Sequence, residues 1–197
     1  VDVVTPNGFE DDFVWNGREF DEKRAEARRA MIRTAEATLS CKFDGEPLIV
    51  GTSGRYEFRN KGIDIFLDAL KQLAETDALD REVLVYITVP SATTGPRKDL
   101  QAHLADENSP IDPKQNRFCT HYLEHPEWDQ ILNSIASSVL ANPSSKVKVV
   151  FVPTYLNGRD GIFDKSYYEL LVGMDMTLFP SYYEPWGYTP LESTAFS

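Results

Sequence analysis

Two glutamates near the end of the chain lie in a stretch whose composition suits a catalytic loop. Glu184 and Glu192 stand eight positions apart in residues 180–197, which have the sequence PSYYEPWGYTPLESTAFS. The apolar run before this stretch predicts a short buried strand, and the residues after Thr189 predict the beginning of a helix. Binding and catalytic residues are common on a loop between a strand and a helix, so we expect a functional loop here.

The predicted helix start offers a structural explanation for one of the two glutamates. Thr189, Pro190 and Glu192 match an N-cap threonine, a proline at the first helical position and a capping glutamate. Glu192 is therefore open to a capping role, in part or wholly, whereas Glu184 has no such structural task. Gly187 would let a ligand approach the backbone at the helix start, which favours a phosphate group.

A second loop supplies positive charge. Residues 51–62, GTSGRYEFRNKG, follow a predicted strand and place Arg55, Arg59 and Lys61 just before a predicted helix. The amino end of a helix carries about half a positive charge, so cations beside it make a phosphate site. The alternative is that Arg55 and Arg59 pair with Glu57 and nearby acids on the surface.

Both loops together suit an anionic ligand that carries a sugar. The cations and the helix start would hold a pyrophosphate leaving group, while Glu184 would face the sugar. The chain contains no Asp-x-Asp sequence, so a metal-dependent sugar-nucleotide site is not expected. Arg55 and Lys61 would then neutralise the charge that a divalent cation neutralises elsewhere, and we expect no metal and no cofactor.

Alternating apolar runs and helical patterns predict the fold. The predicted strands cover residues 48–52, 83–89, 147–152 and 174–179. The predicted helices cover residues 21–40, 62–75, 126–141 and a short segment that opens with a capping box at Ser166 to Glu169. This order predicts an α/β fold, an open parallel Rossmann-like sheet with helices on both faces, whose ligands bind outside the carboxyl ends of the strands.

A composition break at residues 44–47 marks a plausible end of a linker, so we divide the chain into residues 1–45 and residues 46–197. The arginines of the first helix (Arg24, Arg28, Arg29 and Arg33) interleave with glutamates and predict a solvated face with i,i+4 pairs. Because the chain begins with Val1 and stops within a predicted helix, we expect a piece of a longer protein.

Composition excludes several classes of function. The 197 residues carry a formal net charge of −11, which argues against general affinity for nucleic acid or anionic membranes. No apolar run approaches a membrane span, and the two cysteines give no disulfide framework, so a cytoplasmic location is expected. Cys119, His121 and His125 could form part of a zinc site, but their spacing favours ordinary polar residues in the polar insert 91–124.

Two motifs carry a resemblance to a known family. Residues 55–62, RYEFRNKG, and residues 180–190, PSYYEPWGYTP, closely resemble segments of the animal and fungal type of glycogen synthase, a retaining glycosyltransferase of the two-Rossmann-domain GT-B fold. Residues 4–8, VTPNG, resemble the family's segment near the end of its amino-terminal domain. The resemblance implies that this chain contains the carboxy-terminal, donor-binding part of such an enzyme. Residues 46–197 would be its nucleotide-sugar-binding domain, incomplete at the carboxyl end, and residues 1–45 the end of the amino-terminal domain with an interdomain helix and linker.

The resemblance also implies roles for individual residues. Glu184 and Glu192 correspond to the family's paired glutamates, the first beside the transferred glucose and the second near the ribose. Arg55 and Lys61 are implied to contact the donor phosphates, and Tyr167 is implied to stack on the base. The remaining implied donor contacts line the diphosphate and are Gly187, Tyr188 and Thr189.

The expected activity is transfer of glucose to the non-reducing end of an α-1,4-glucan with retention of configuration. The family's donor is usually UDP-glucose, and ADP-glucose stays open, as does an oligomeric assembly. One alternative is another retaining glucosyltransferase of the same fold, similar to a sucrose or trehalose-phosphate synthase. The other is a non-catalytic module that binds sugar nucleotides or glucan. Because catalysis aligns donor and acceptor across two domains, we expect this part alone to be inactive.

Overall fold

A computed structural model of the protein describes Gly8 and residues 14–76, 78–112 and 117–196. The resemblance at residues 4–8 lies outside the described residues except for Gly8. The α-helices are α1 (Gly17–Leu39), α2 (Ile63–Ala74), α3 (Lys98–Ala105), α4 (Gln130–Ala136), α5 (Tyr167–Leu171) and α6 (Tyr188–Ala195). The strands are β1 (Leu48–Ser53), β2 (Val83–Thr88), β3 (Thr93–Pro96), β4 (His121–Leu123), β5 (Val147–Phe151) and β6 (Met176–Thr177).

The main sheet confirms the predicted fold class. Its four strands are all parallel and follow the order β5-β2-β1-β6. Every residue of β2 and β5 is buried, including Lys148 of β5, which agrees with their largely apolar sequences. Since β1 and β6 are neighbours, the loops that follow their carboxyl ends emerge side by side.

Two apolar layers cover the faces of this sheet. On one face, Phe66 and Leu67 of α2 and Ile131 of α4 are buried against side chains of β1, β2 and β5. On the other face, α1 contributes Met31 and Ala35 to a second cluster, which also contains residues of α5. This arrangement confirms the prediction of helices on both faces, while the domain boundary near residue 45 stays a prediction.

The fourth strand is shorter than predicted. Instead of residues 174–179, only Met176–Thr177 form β6, although backbone bonds from Asp175 to Ile49 and from Leu178 to Gly51 continue the alignment on both sides. Among the described strands, β6 pairs with β1 alone, and Met176 is 53% exposed. The prediction of a fully buried strand was therefore wrong, because β6 lies at the edge of the described sheet.

The predicted helix at residues 126–141 is divided into two pieces. Asp129 caps α4 by accepting a hydrogen bond from the Leu132 backbone N–H at 2.8 Å, so the helix begins after Trp128. Ser138 then caps a separate 3₁₀ turn at Val139–Ala141. Side-chain hydrogen bonds of this kind compete with helix continuation, and they override the apolar periodicity.

The polar insert at residues 91–124 has structure of its own. Strands β3 and β4 form an antiparallel pair, and α3 lies between them in the sequence. Cys119 and His121 are buried, and the His121 ring bonds to the Thr120 hydroxyl and the Asp160 carbonyl. Within the described ranges, no cluster of three or more histidine, cysteine or acidic side chains could hold a metal ion.

Arg24 and Arg28 of α1 contradict the predicted solvated face, whereas Arg29 and Arg33 are exposed as predicted. Arg24 and Arg28 both pair with Asp175, at 2.6 and 2.8 Å, and Arg28 also pairs with Glu46 at 2.6 Å. These ion pairs join the first helix to the segment before β6, so the predicted i,i+4 pairing was wrong for both arginines. Their side chains reach across to another element because α1 lies directly over the α5–β6 connection.

None of the described helices is long and apolar enough to cross a membrane.

Candidate active site

The loops after β1 and β6 meet at the carboxyl edge of the sheet. The Tyr182 backbone N–H donates to the Asn60 carbonyl at 2.9 Å. Gly62 has a positive φ of +63°, and a Cβ atom there would lie 2.0 Å from the Pro180 carbonyl oxygen. Only glycine fits this position, because it combines a left-handed backbone with direct contact to a second backbone. The two predicted site loops therefore share one location.

An ion pair joins these two loops. Lys61 Nζ lies 2.5 Å from Glu184 Oε2, and the two side chains are 14% and 27% exposed. The Ser181 hydroxyl also lies near the same carboxylate oxygen, at 3.4 Å. The predicted cation and the predicted sugar-facing carboxylate are thus neighbours, and each is the other's partner.

Arg55 is held far more loosely than Lys61. Its side chain is 81% exposed, and its Nε lies 3.4 Å from a carboxylate oxygen of Glu57. This contact corresponds to the surface pairing that the sequence left open. An exposed pair of this kind contributes at most about 1 kcal/mol, so Arg55 can exchange Glu57 for a stronger anion at little cost.

A cavity of about 510 Å³ lies at the carboxyl edge of the strands. Four of the predicted site residues line it, namely Arg55, Tyr167, Thr189 and Glu192. The other four predicted residues, Lys61, Glu184, Gly187 and Tyr188, do not line the cavity. They belong to the same two loop segments, where Lys61 meets Glu184 and where Gly187 lies against the Glu184 side chain. Tyr188 follows Gly187 directly and is 44% exposed.

Several further lining residues were missed by the sequence reasoning. Ser53 and Thr88 end β1 and β2, and Tyr155 and Asn157 belong to the loop after β5. Part of that loop therefore belongs to the cavity wall. Their position directly after predicted strands was the available signal, since all parallel strands end at the same edge.

Tyr167 forms a fixed wall of this cavity. Its hydroxyl lies 2.7 Å from the Ser53 hydroxyl, which ties α5 to the end of β1. Burial raises the pKa of Tyr167 to about 12, so the phenol stays protonated at neutral pH. Ser166 opens α5 with the predicted capping box, which fixes the direction of this helix.

Glu192 has a different partner from the one predicted. The helix α6 begins at Tyr188 with Gly187 as its N-cap, and Gly187 adopts a φ of 78°. Pro190 therefore occupies the third helical position, where a missing N–H costs nothing because the first backbone donors of a helix have no internal partner. The Glu192 carboxylate accepts a hydrogen bond from the Tyr168 hydroxyl at 2.8 Å. Both the Thr189 N-cap and the capping role of Glu192 were wrong.

Fold and site together define a Rossmann-like α/β unit with a ligand-sized cavity at the carboxyl edge of its sheet, as in a nucleotide-sugar glycosyltransferase. Residues 101–197 match the family model for glycogen synthase. The chain is 28% identical over 250 residues to the glycogen [starch] synthase of Neurospora crassa and 27% identical over 250 residues to that of Caenorhabditis elegans. It is 29% identical over 246 residues to the human liver glycogen [starch] synthase.

Each of these alignments covers 98% of this chain and 35 to 37% of the relative's length. The resemblance to glycogen synthases is therefore confirmed, and it extends over nearly the whole chain. The proteins that the chain matches are glycosyltransferases. It spans about a third of the length of the relatives it matches.

Proposed function

We propose that this chain is the donor-binding part of a glycogen synthase that transfers glucose from a nucleoside diphosphate sugar, with UDP-glucose favoured, to the non-reducing end of an α-1,4-glucan. The anomeric configuration is retained. Residues 46–197 form the nucleotide-sugar-binding domain of a GT-B enzyme, and residues 1–45 connect it to the amino-terminal domain. The enzyme acts in the cytoplasm, where its partners are the sugar nucleotide and the glucan acceptor.

The observation that carries this proposal is the meeting of the two loops. Lys61 and Glu184, which lie on different loops, are 2.5 Å apart beside the cavity that Arg55, Tyr167 and Glu192 line. Together, Lys61, Glu184 and the start of α6 supply the groups that a sugar diphosphate requires. The cation and the helix amino end stabilise the phosphates, and the carboxylate serves the sugar.

The ion pair implies an exchange of partners when the donor binds. A diphosphate group placed between the loops would compete with Glu184 for Lys61 and would draw the exposed Arg55 away from Glu57. Glu184 would then be free to accept hydrogen bonds from the glucose hydroxyls. Binding of the donor phosphate to Lys61 would thus release the Glu184 carboxylate, which then orients the glucose.

In the transfer step, the bond between the anomeric carbon and the phosphate oxygen breaks, and its electron pair leaves with the nucleoside diphosphate. Arg55, Lys61 and the start of α6 stabilise this negative charge. The acceptor hydroxyl oxygen forms the new bond on the same face, and its proton passes to the departing phosphate oxygen. Glu184 stabilises the positive charge that develops on the sugar and forms no covalent bond to it.

Roles for the remaining residues follow from their positions in the cavity. The Tyr167 ring, fixed through Ser53, would stack on the base, and Glu192 near it would bond to the ribose. Gly187, Tyr188 and Thr189 at the start of α6 would lie along the diphosphate. Calorimetric titration of the complete protein with UDP and with ADP tests the base, and tighter binding of UDP is expected.

The decisive variant is Glu184→Gln in the complete protein. We expect the donor to bind with little change while turnover falls by roughly 100- to 1,000-fold, because the charge that stabilises the transition state is lost. The matched control is Glu22→Gln, which removes an exposed carboxylate paired with Arg18 on α1 and should leave turnover unchanged.

Two results would contradict this proposal. Wild-type turnover in the Glu184→Gln protein would favour a non-catalytic binding module. A glucosyl ester trapped on Glu184 would overturn the mechanism without a covalent intermediate. An assay of the complete protein with glycogen against small sugars separates glucan synthesis from the activity of sucrose or trehalose-phosphate synthases.

A further inference from the structure

A second cavity adjoins the candidate active site. It has a volume of about 230 Å³ and shares one wall with the larger cavity, because the Tyr56 side chain lines both. Its lining comes from the start of the polar insert and from the turn before α4, and consists of Tyr56, Ser91, Ala92, Leu123, His125, Trp128, Asp129 and Gln130. None of these residues belongs to the site predicted from the sequence.

The indole of Trp128 stands at the rim of this smaller cavity. It is 78% exposed, the largest value among the exposed large apolar side chains of the described residues. Backbone bonds from Trp128 to the His125 carbonyl at 3.1 Å and from Asp129 to the Pro126 carbonyl at 3.4 Å fix the turn that carries it. The ring thus offers a flat apolar face to a ligand, on a fixed turn and next to a cavity.

Polar groups of fixed position surround the ring. Asp129 is 8% exposed and is held by the Leu132 backbone N–H, and the Tyr56 hydroxyl accepts from the Ile131 backbone N–H at 3.2 Å. His125 and Gln130 lie at the exposed margin. The surface therefore combines one flat apolar platform with hydrogen-bonding side chains at its edge.

The charge of this cavity distinguishes it from the larger one. As formed by the described residues, its lining contains the carboxylate of Asp129 and no lysine or arginine, whereas Arg55 lines the larger cavity and Lys61 lies in the same loop as Arg55. A phosphate group would be repelled here, while a neutral polyhydroxy ring meets no such penalty. The small volume also suits a single pyranose ring better than a nucleotide.

We propose that this cavity binds a glucose unit of the α-1,4-glucan, with the apolar face of the sugar ring on Trp128 and its hydroxyls bonded to His125, Gln130 and Asp129. The inference rests on the proposed function, since it takes the glucan as the neutral ligand. Through the shared Tyr56 wall, a chain held at Trp128 lies beside the proposed donor site. The subsite therefore keeps the glucan close to the position where glucose is transferred.

The test measures the binding of maltoheptaose to the complete protein by calorimetry and by the change in tryptophan fluorescence. Trp128→Ala should raise the dissociation constant about 10-fold and abolish the Trp128 part of the fluorescence change. Trp128→Phe keeps an aromatic face and should raise the dissociation constant only about 3-fold. The control is Ile65→Ala, which removes an apolar side chain of α2 that is 47% exposed and should leave binding unchanged.

Two outcomes overturn the inference. The first is unchanged maltoheptaose affinity in Trp128→Ala, and the second is a raised dissociation constant for UDP in this variant without any loss of glucan affinity. Calorimetry measures both binding constants without turnover. If the wild type binds maltoheptaose through Trp128 but transfers no glucose, the proposed function fails and the sugar subsite stands. If it transfers glucose and Trp128 does not affect glucan binding, only the subsite fails.

Discussion

Both edges of the sheet contain arginine or lysine beside acidic side chains. The two sets of charges differ in how many protein partners hold them. At the amino edge, Asp175 accepts from Arg24, from Arg28 and from the Ile49 backbone N–H. Arg28 is bonded in addition to Glu46 and to two backbone carbonyls. Arg24, Arg28 and Asp175 each have several protein partners, which include backbone groups that a ligand could not replace without opening the fold.

At the carboxyl edge, the charges have fewer protein partners. Lys61 forms one ion pair with Glu184, and Arg55 has a single loose contact with Glu57 while remaining 81% exposed. A ligand phosphate could replace either carboxylate without disturbing a backbone hydrogen bond. The number and kind of protein partners therefore distinguish a structural cluster of charges from a ligand site. The sequence alone does not show this difference, because both edges contain similar charged residues.

The largest effect is expected where the two site loops touch. Gly62→Ala would place a Cβ atom 2.0 Å from the Pro180 carbonyl oxygen in a backbone with a φ of +63°. Because a backbone atom cannot yield like a flexible side chain, the loops must separate. We expect the free energy of unfolding to fall by roughly 2 to 4 kcal/mol and the Michaelis constant for the donor to rise at least about 10-fold. Urea unfolding and steady-state kinetics measure both.

A second glycine controls for the backbone conformation alone. Gly17 has a similar φ of +54°, but a Cβ atom there would meet nothing within 4 Å. Gly17→Ala should therefore cost only about 1 kcal/mol and leave the kinetics unchanged. If both variants behaved alike, the contact between the loops would have no part in holding the site together.

The middle of the fold could be predicted from the sequence because its strands are buried on both faces. Residues 83–88 and 147–151 are largely apolar runs, interrupted in the second by Lys148, and the structure has β2 and β5 there. Predictions failed where local hydrogen bonds or an edge position decided the outcome. Asp129 and Ser138 divided one apolar helical pattern, and β6 lies at the edge of the described sheet.

The candidate site could be predicted in part for a similar reason. Loops after parallel strands share an edge, so a common location for Lys61 and Glu184 was a sound expectation. Their direct pairing was not predictable, because the two residues are 123 positions apart and meet only when β6 pairs with β1. The hydrogen bond between Tyr168 and Glu192 was likewise not predictable, because the sequence pattern placed the start of α6 after Thr189 and the helix begins at Tyr188.

At the amino edge, the pH dependence of stability tests the structural role of Asp175. Partial burial alone would raise its pKa, but hydrogen bonds from Arg28 and the Ile49 backbone N–H outweigh burial and lower the pKa below the usual 3.8. A carboxyl group with a lowered pKa in the folded state stabilises the fold above its unfolded pKa, and this contribution is lost as the pH falls through the folded pKa. We expect Asp175→Asn to lower the free energy of unfolding at pH 7 by about 1 to 3 kcal/mol and to flatten its decline below pH ~4.

The control for this variant is Asp68→Asn on α2, where the carboxylate is 63% exposed and pairs with Lys71 at 3.0 Å. An exposed pair contributes little, so the change should stay within about 0.5 kcal/mol. Urea unfolding at pH 7 and at pH 3 measures both proteins. Equal stability of the two variants at pH 7 would mean that Asp175 is no more structural than a surface charge, and the contrast between the two edges would be lost.

The smallest expected effect concerns the position of Glu192. Tyr168→Phe removes the hydroxyl that donates to Glu192 at 2.8 Å but keeps the ring, which stacks on Phe196 at a centroid distance of 4.9 Å. Tyr122→Phe is the matched control, because it also removes a hydroxyl that forms a hydrogen bond, with the Lys98 backbone N–H at 3.0 Å on the polar insert. Both variants should lose about 1 kcal/mol of stability.

Only Tyr168→Phe should change the kinetics, since only its hydroxyl holds a carboxylate in the wall of the donor cavity. Because Glu192 is proposed to bond to the ribose, the Michaelis constant for the donor should rise about 3- to 10-fold with kcat nearly unchanged. Equal kinetics in the two variants would assign the Tyr168 hydroxyl to stability alone. A fall in kcat at a constant Michaelis constant would instead place Glu192 in the chemical step, beside Glu184.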